Sequence, residues 1–127
     1  MGDLTKNISR HELRCKCGNC SVTIQDHEPI IQIVQGVCDR IADYYDVDKV
    51  RLDITSAARC REHNLAVGSN DESQHIRCNA MDIKIFVGDA QMPPNLVADY
   101  LPDDFIGGSG VYNSFTHFDT RNKIARW

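Results

Sequence analysis

One long helical stripe followed mostly by short alternating segments is the pattern that most limits how this chain can fold. Between Asp26 and Tyr45 the apolar residues Ile30, Ile31, Val34, Val37, Cys38, Ile41, Ala42 and Tyr45 recur at three- and four-residue steps, which gathers them on one helix face. Pro29 suits the first turn, where a missing N–H costs nothing. Val50, Leu52 and Ile54 then alternate with Arg51, Asp53 and Thr55, the period of a half-buried strand. Alternation returns at residues 80–86: Met81, Ile83 and Ile85 share one face, while Ala80, Asp82 and Lys84 share the other, so Asp82 points away from the main apolar side. Within residues 115–121 the same period sets His117, Asp119 and Arg121 on one face and Thr116, Phe118 and Thr120 on the other. Residues 56–79 are loop-rich, with a short helix at Arg61–Ala66 and turn residues at Gly68-Ser69-Asn70-Asp71. A second, shorter helix is expected over residues 95–101, ended by Pro102, and Gly107-Gly108-Ser109-Gly110 reads as a flexible lead-in to the last strands. A chain of 127 residues supports one core and not two. The expectation is a single α+β domain over residues 1–127, with a small antiparallel sheet carrying a site on one face and helices on the other.

Composition narrows the functions. Apolar residues make up 42% and charged residues 25%, the balance of a globular protein in water. No apolar run approaches the roughly 18 to 20 residues that span a bilayer, so a membrane-embedded protein is not expected. The start, Met1-Gly2-Asp3-Leu4-Thr5-Lys6, lacks the apolar core of a secretory signal, and Lys6 stands where a myristoylation motif requires Ser or Thr. Synthesis in the cytoplasm without an export signal is the expectation, as a monomer. A net charge of −4 argues against a nucleic-acid surface, which needs clustered Lys and Arg.

Chemistry-bearing residues concentrate in two places. His75, Asp82 and His117 supply two imidazoles and a carboxylate, a three-ligand set that leaves a zinc ion an open position for water, whereas structural zinc is normally closed by four ligands rich in cysteine. Spacing alone leaves open surface histidines with an Asp in a hydrogen bond. Cys15, Cys17 and Cys20 form the other concentration, among six cysteines in all. They are able to hold a structural zinc with Cys60 as fourth ligand, to form one disulfide in an oxidising setting, or to stay reduced. Cys38 and Cys78 read as small hydrophobes, with Cys78 near enough to His75 in sequence to act as a stray ligand. His11, His27 and His63 read as non-ligands.

Longer strings carry a resemblance. Residues 55–68 (TSAARCREHNLAVG), 73–83 (SQHIRCNAMDI) and 107–121 (GGSGVYNSFTHFDTR) resemble, in order, the zinc D-alanyl-D-alanine peptidase family. Residues 8–18 (ISRHELRCKCG) and the closing Ala125-Arg126-Trp127 are similar to its small single-domain branch, often found in phages and prophages. The resemblance implies the Hedgehog/DD-peptidase fold, with Zn2+ held by His75, Asp82 and His117. It implies hydrolysis of peptidoglycan stem peptides or crosslinks, as a D-alanine carboxypeptidase or an endopeptidase of endolysin type. Such an enzyme acts at the cell wall, and a phage-encoded one reaches it through a membrane pore or a virion. Arg59 matches an arginine that engages substrate or stabilises oxyanion charge, with a salt bridge to Asp53 or Glu62 as its plainer role. Ser73 matches a substrate-binding serine, or caps a turn.

Three departures from the family pattern stand out. Ser114 replaces an acid found three residues before the final histidine in several relatives, which makes Asp119 the expected acid–base group; fixing His117 or pairing with Arg121 is its competing role. Ala58 replaces an aromatic residue, and Cys78-Asn79 replaces a Gly-rich step. Two other classes stay open: a zinc-stabilised binding module of the same fold, as in the Hedgehog amino-terminal domain, and a structural-zinc or redox protein built on the cysteine cluster.

Overall fold

The structure, a computed structural model, describes residues 2–18, 20–69 and 73–127. The turn expected at Asn70 and Asp71 lies outside the described residues. A 3-10 turn at Arg10–Leu13 precedes three α-helices, α1 (Pro29–Tyr44), α2 (Arg61–Ala66) and α3 (Pro94–Ala98). Six strands accompany them: β1 (Arg51–Ser56), β2 (Ala80–Val87), β3 (Ala90–Gln91), β4 (Gly108–Val111), β5 (Thr116–Asp119) and β6 (Ala125–Arg126). They form one sheet in the order β1-β2-β5-β4-β6, with β3 beside β2.

Sequence periodicity explains the layers. Pro29 opens α1, and its stripe of Ile30, Ile31, Val34, Val37, Cys38, Ile41 and Ala42 is buried. That face packs on β2 and β5, where Met81, Ile83 and Phe118 are fully buried. The amino-terminal arm adds Ile8, Leu13 and Ile24 to the same core. Its anchor is polar: Gln35 on α1 accepts from Thr5 Oγ1 (2.6 Å) and the Asn7 N–H (2.9 Å) and donates to Asn7 Oδ1 (2.9 Å).

Strand register sorts the two faces. Met81 pairs with Phe118 and Ile83 with Thr116, on the helix side, where Thr116 Oγ1 donates to the Pro94 carbonyl of α3. Asp82 pairs with His117 and Ala80 with Asp119, on the other side. Across β4, Gly110 stands opposite His117 and Gly108 opposite Asp119. A bulge between Ile54 and Ser56 shifts β1 so that Ser56 comes opposite Asp82.

Three expectations need correction. The run at residues 107–110 is not a flexible lead-in, because Gly108–Val111 is β4 and its first three residues are buried. Glycine is required there by close approach: a Cβ on Gly108 would collide with the Asp119 carboxylate, and one on Gly110 with the Trp127 indole. The sheet is not wholly antiparallel, since β6 runs parallel to β4. After β5 the chain reverses once and passes to the far edge of β4, which gives it the direction of β4. Helix α3 is also shorter than its pattern, as the chain beyond Ala98 tightens into three-residue turns, Tyr100 N–H to Val97 carbonyl and Leu101 N–H to Ala98 carbonyl.

Two glycine substitutions should therefore have opposite signs in urea unfolding. Gly108→Ala overpacks the site face and should cost about 1–3 kcal/mol. Gly36→Ala, in the middle of α1, meets only the movable end of Arg40 and should gain about 0.5–1 kcal/mol.

Candidate metal centre

The register just described delivers two of the three candidate ligands from neighbouring strands, and a loop delivers the third. Asp82 on β2 and His117 on β5 are each 7% exposed. His75 lies in the turn after Ser73, where Arg59 N–H and Cys78 N–H both donate to the His75 carbonyl. Cys78 closes that turn with φ 59°, the left-handed region that glycine enters without strain.

Donor atoms converge. His75 Nε2 is 3.2 Å from Asp82 Oδ2, and His117 Nδ1 is 2.8 Å from Asp82 Oδ1. One donor atom from each of the three residues lies within 4.8 Å of the others, and all three residues are buried. Each imidazole is oriented through its other nitrogen. His75 Nδ1 donates to the Ala57 carbonyl (2.6 Å), which leaves Nε2 as the ligand atom. His117 Nε2 donates to Asp119 Oδ2 (2.7 Å), which leaves Nδ1. Carboxylate and carbonyl partners of this kind fix the tautomer and raise ligand basicity. Two imidazole nitrogens and a carboxylate, preoriented and shielded from water, fit a zinc ion with an open coordination position.

Asp119 is fully buried, and its carboxylate is saturated. Beside His117, it accepts from Arg121 Nε (2.8 Å), Arg121 Nη2 (2.7 Å), the Arg121 N–H (3.1 Å) and the Gly108 N–H (3.0 Å). It meets His117 on the ring nitrogen that faces away from Asp82. Both competing roles read from the sequence, holding His117 and pairing with Arg121, are thus present in its contacts.

Arg59 does not pair with Asp53 or Glu62. Its Nη2 lies 3.6 Å from Asp82 Oδ2, Nε donates to Ser56 Oγ (3.1 Å) and Nη1 donates to Asn64 Oδ1 (3.1 Å). Ser73 Oγ accepts from the His75 N–H (3.3 Å), the turn-capping contact, and the residue also faces the cleft. Cys78 is not among the donors that converge with His75. Ser114 is exposed, and its carbonyl accepts from Gln91 Nε2 (2.9 Å).

These residues line an open cleft of about 410 Å³ whose wall includes Arg59, Ser73, Tyr112, Phe115, Arg121 and Trp127. The aromatic wall was not singled out from the sequence, nor was Asn64. Tyr112 stacks on Phe115 at 4.5 Å, and Trp127 lies 5.4 Å from the His117 ring with its Nε1 donating to Tyr112 Oη (2.8 Å). Glycines at alternate positions of β4, with the chain's single Trp near its end, were the available signal. For Asn64 none existed, because a buried Asn in a six-residue helix looks like any helix polar residue.

Electrostatics in the metal-free protein follow from the same contacts. Burial would raise the Asp82 pKa, but hydrogen bonds from His117 and His75 prevail and bring it down to about 2. Burial would lower that of His117, and its bonds to Asp119 and Asp82 instead raise it. Against its own burial, Asp119 is held well below the carboxylate range by His117 and Arg121.

A buried, preoriented His-Asp-His set that could hold a metal ion lies at the floor of an open cleft on an α+β domain. The sequence model of the family described as Peptidase M15 matches residues 6–119, and the chain belongs to that family of zinc-dependent peptidases. No curated protein and no solved structure matches the chain significantly. No described helix is long and apolar enough to cross a membrane.

Two measurements probe the centre. Asp119→Asn should weaken zinc binding about 10–100-fold in a chelator competition, since it removes the negative charge and one of the two acceptor oxygens that His117 and Arg121 share. In metal-free protein the His117 contribution to stability is fully present below the unfolded imidazole value of about 6.5, and is lost as pH rises through its raised folded value. The Asp82 contribution is present above the unfolded value of about 3.9 and is lost as pH falls through about 2. Urea midpoints of chelator-treated protein should therefore fall from mildly acidic toward alkaline pH. Those of zinc-loaded protein should rise relative to them, because zinc displaces the His117 proton.

Proposed function

We propose that this protein is a peptidoglycan peptidase, hydrolysing D-amino-acid-containing bonds of stem peptides or crosslinks on a Hedgehog/DD-peptidase-like domain. The observation that carries the reading is the placement of Arg59 beside Asp82 at the head of a cleft whose floor is the three-ligand set. A bound zinc supplies Lewis-acid polarisation of a carbonyl and activation of water at neutral pH. His75, Asp82 and His117 hold it. Arg59 contributes fixed positive charge where negative charge develops on the substrate, and its partners use no more than three of the five guanidinium N–H donors. Ser73 offers a hydroxyl to the peptide, and the Tyr112, Phe115 and Trp127 wall gives its apolar parts a surface.

For Asp119 we propose a positioning role. With His117, Arg121 and the Gly108 amide on its oxygens, it keeps Nδ1 of His117 aimed at the metal. Among the described residues lining the cleft, Asp82 has the only carboxylate side chain. That observation favours one second reading, a zinc-stabilised binding module that recognises the same wall peptides without turning them over.

Mass spectrometry of defined muropeptides incubated with zinc-loaded protein separates the two. The expected outcome is a single scissile bond cut by the wild type, with no product from His117→Ala. Arg59→Ala should lower kcat by about a hundred- to thousand-fold while zinc content stays unchanged. Intact stem peptides and crosslinks after incubation with fully loaded protein, together with saturable binding, would move the assignment to the module.

A further inference from the structure

A second group of metal-ligating side chains lies outside the His75, Asp82 and His117 centre. Cys15, Cys17, Cys20 and Cys60 bring their sulfurs within 4.8 Å of one another. Cys15 and Cys60 are 3.7 Å apart, Cys60 and Cys17 3.8 Å, and Cys17 and Cys20 3.4 Å. These separations discriminate between the chemistries open to clustered thiols. A disulfide requires sulfurs about 2.05 Å apart. Four thiolates, each about 2.3 Å from a zinc ion at the centre of a tetrahedron, stand about 3.8 Å apart along its edges. Two of these separations match the tetrahedral edge, and the third, 3.4 Å, is shorter than that edge but far longer than a disulfide bond.

Packing accounts for Cys15, which is 7% exposed, but not for the other three. Cys38, kept as a hydrophobe in α1, is 1% exposed, whereas Cys20 is exposed and Cys17 and Cys60 are half-buried. Thiols that converge without being buried gain little from the hydrophobic effect. Local backbone geometry points the same way. Arg14 bridges to Thr23 and the Cys15 N–H donates to the Val22 carbonyl (2.8 Å), so a closed loop presents Cys15, Cys17 and Cys20. Inside it Gly18 takes φ 75°, the left-handed turn that brings Cys17 and Cys20 together at the two-residue spacing of zinc-binding cysteine pairs. Backbone amides already aim at the sulfurs: Cys60 N–H donates to Cys15 Sγ (3.3 Å) and His63 N–H to Cys60 Sγ (3.4 Å). Amide donors of this kind stabilise thiolate ligands.

We propose that Cys15, Cys17, Cys20 and Cys60 hold one structural zinc ion, closed by four thiolates and separate from the candidate catalytic metal. On binding, each thiol gives its proton to solvent, and the resulting doubly negative centre lies within the field of Arg59, whose charge interacts with Cys15. The ion ties the amino-terminal arm to the start of α2. Cys60 follows Arg59 directly, and the Arg59 N–H donates to the His75 carbonyl, so the same tie fixes one wall of the cleft.

Full-length protein purified under reducing conditions with zinc tests this by metal analysis and by cobalt substitution. Wild type should carry two zinc ions per chain, one for each convergent group. His117→Ala should keep one, and its cobalt form should keep the intense near-ultraviolet absorption of thiolate-to-cobalt charge transfer. Cys17→Ser/Cys20→Ser should lose that absorption and one zinc. Should the double variant fail to fold, the wild-type chain still decides: zinc should protect these cysteines from alkylation, and a chelator should abolish the protection. A single zinc per chain that disappears in His117→Ala, with no thiolate-to-cobalt absorption, overturns the proposal. So does an intact mass showing these cysteines joined in disulfides under the same reducing conditions.

Discussion

Asp82 faces His117 across β2 and β5, and the rest of the site is arranged around that pairing. A strand slipped by one residue turns every side chain to the opposite face. Here the slip would push Asp82 and His117 into α1 and bring Met81 and Phe118 to the cleft. The apolar core therefore enforces the ligand geometry: burying Ile83 and Phe118 under α1 leaves Asp82, His117 and Asp119 only the other face. Room on that face comes from what β4 lacks, since Gly108 and Gly110 let the Asp119 carboxylate and the Trp127 ring lie against bare backbone.

A buried carboxylate between two imidazoles is costly unless each group is satisfied. The chain meets this by carrying the hydrogen bonds outward, to acceptors for the imidazoles and to donors for Asp119. His75 leans on the Ala57 carbonyl, His117 on Asp119, and Asp119 on Arg121 and the Gly108 amide. The hydrogen bond between His117 and Asp82 raises the pKa of the one and lowers that of the other.

Much of this was legible in the sequence for a simple reason: elements that face the core announce themselves by period. The stripe in α1 and the alternation in β2 located both elements to within a residue or two, and the same alternation put His117 and Asp119 on one face. What could not be read was identity set by contact at a distance. The contacts of Asp119 are one case, since nothing in the sequence shows the Gly108 amide and the Arg121 guanidinium on its oxygens. Glycines 108 and 110 look like a loop because propensity counts their freedom, while the strand uses their missing side chains. Cys78, in a left-handed conformation, shows the converse, a backbone requirement met by a residue that does not advertise it.

The supports of the ligands differ in kind. Asp82 and His117 stand on interior strands, each flanked by a partner on both sides, and the backbone there opens only when the whole domain does. His75, Arg59 and Ser73 stand on connecting segments, held by individual hydrogen bonds such as Arg59 N–H to the His75 carbonyl rather than by a strand ladder. Amide hydrogens should register this as a boundary drawn through the middle of the cleft, slower to exchange on the sheet than on these segments. Half of the site thus shares the stability of the sheet, and the half that carries Arg59 depends on local contacts.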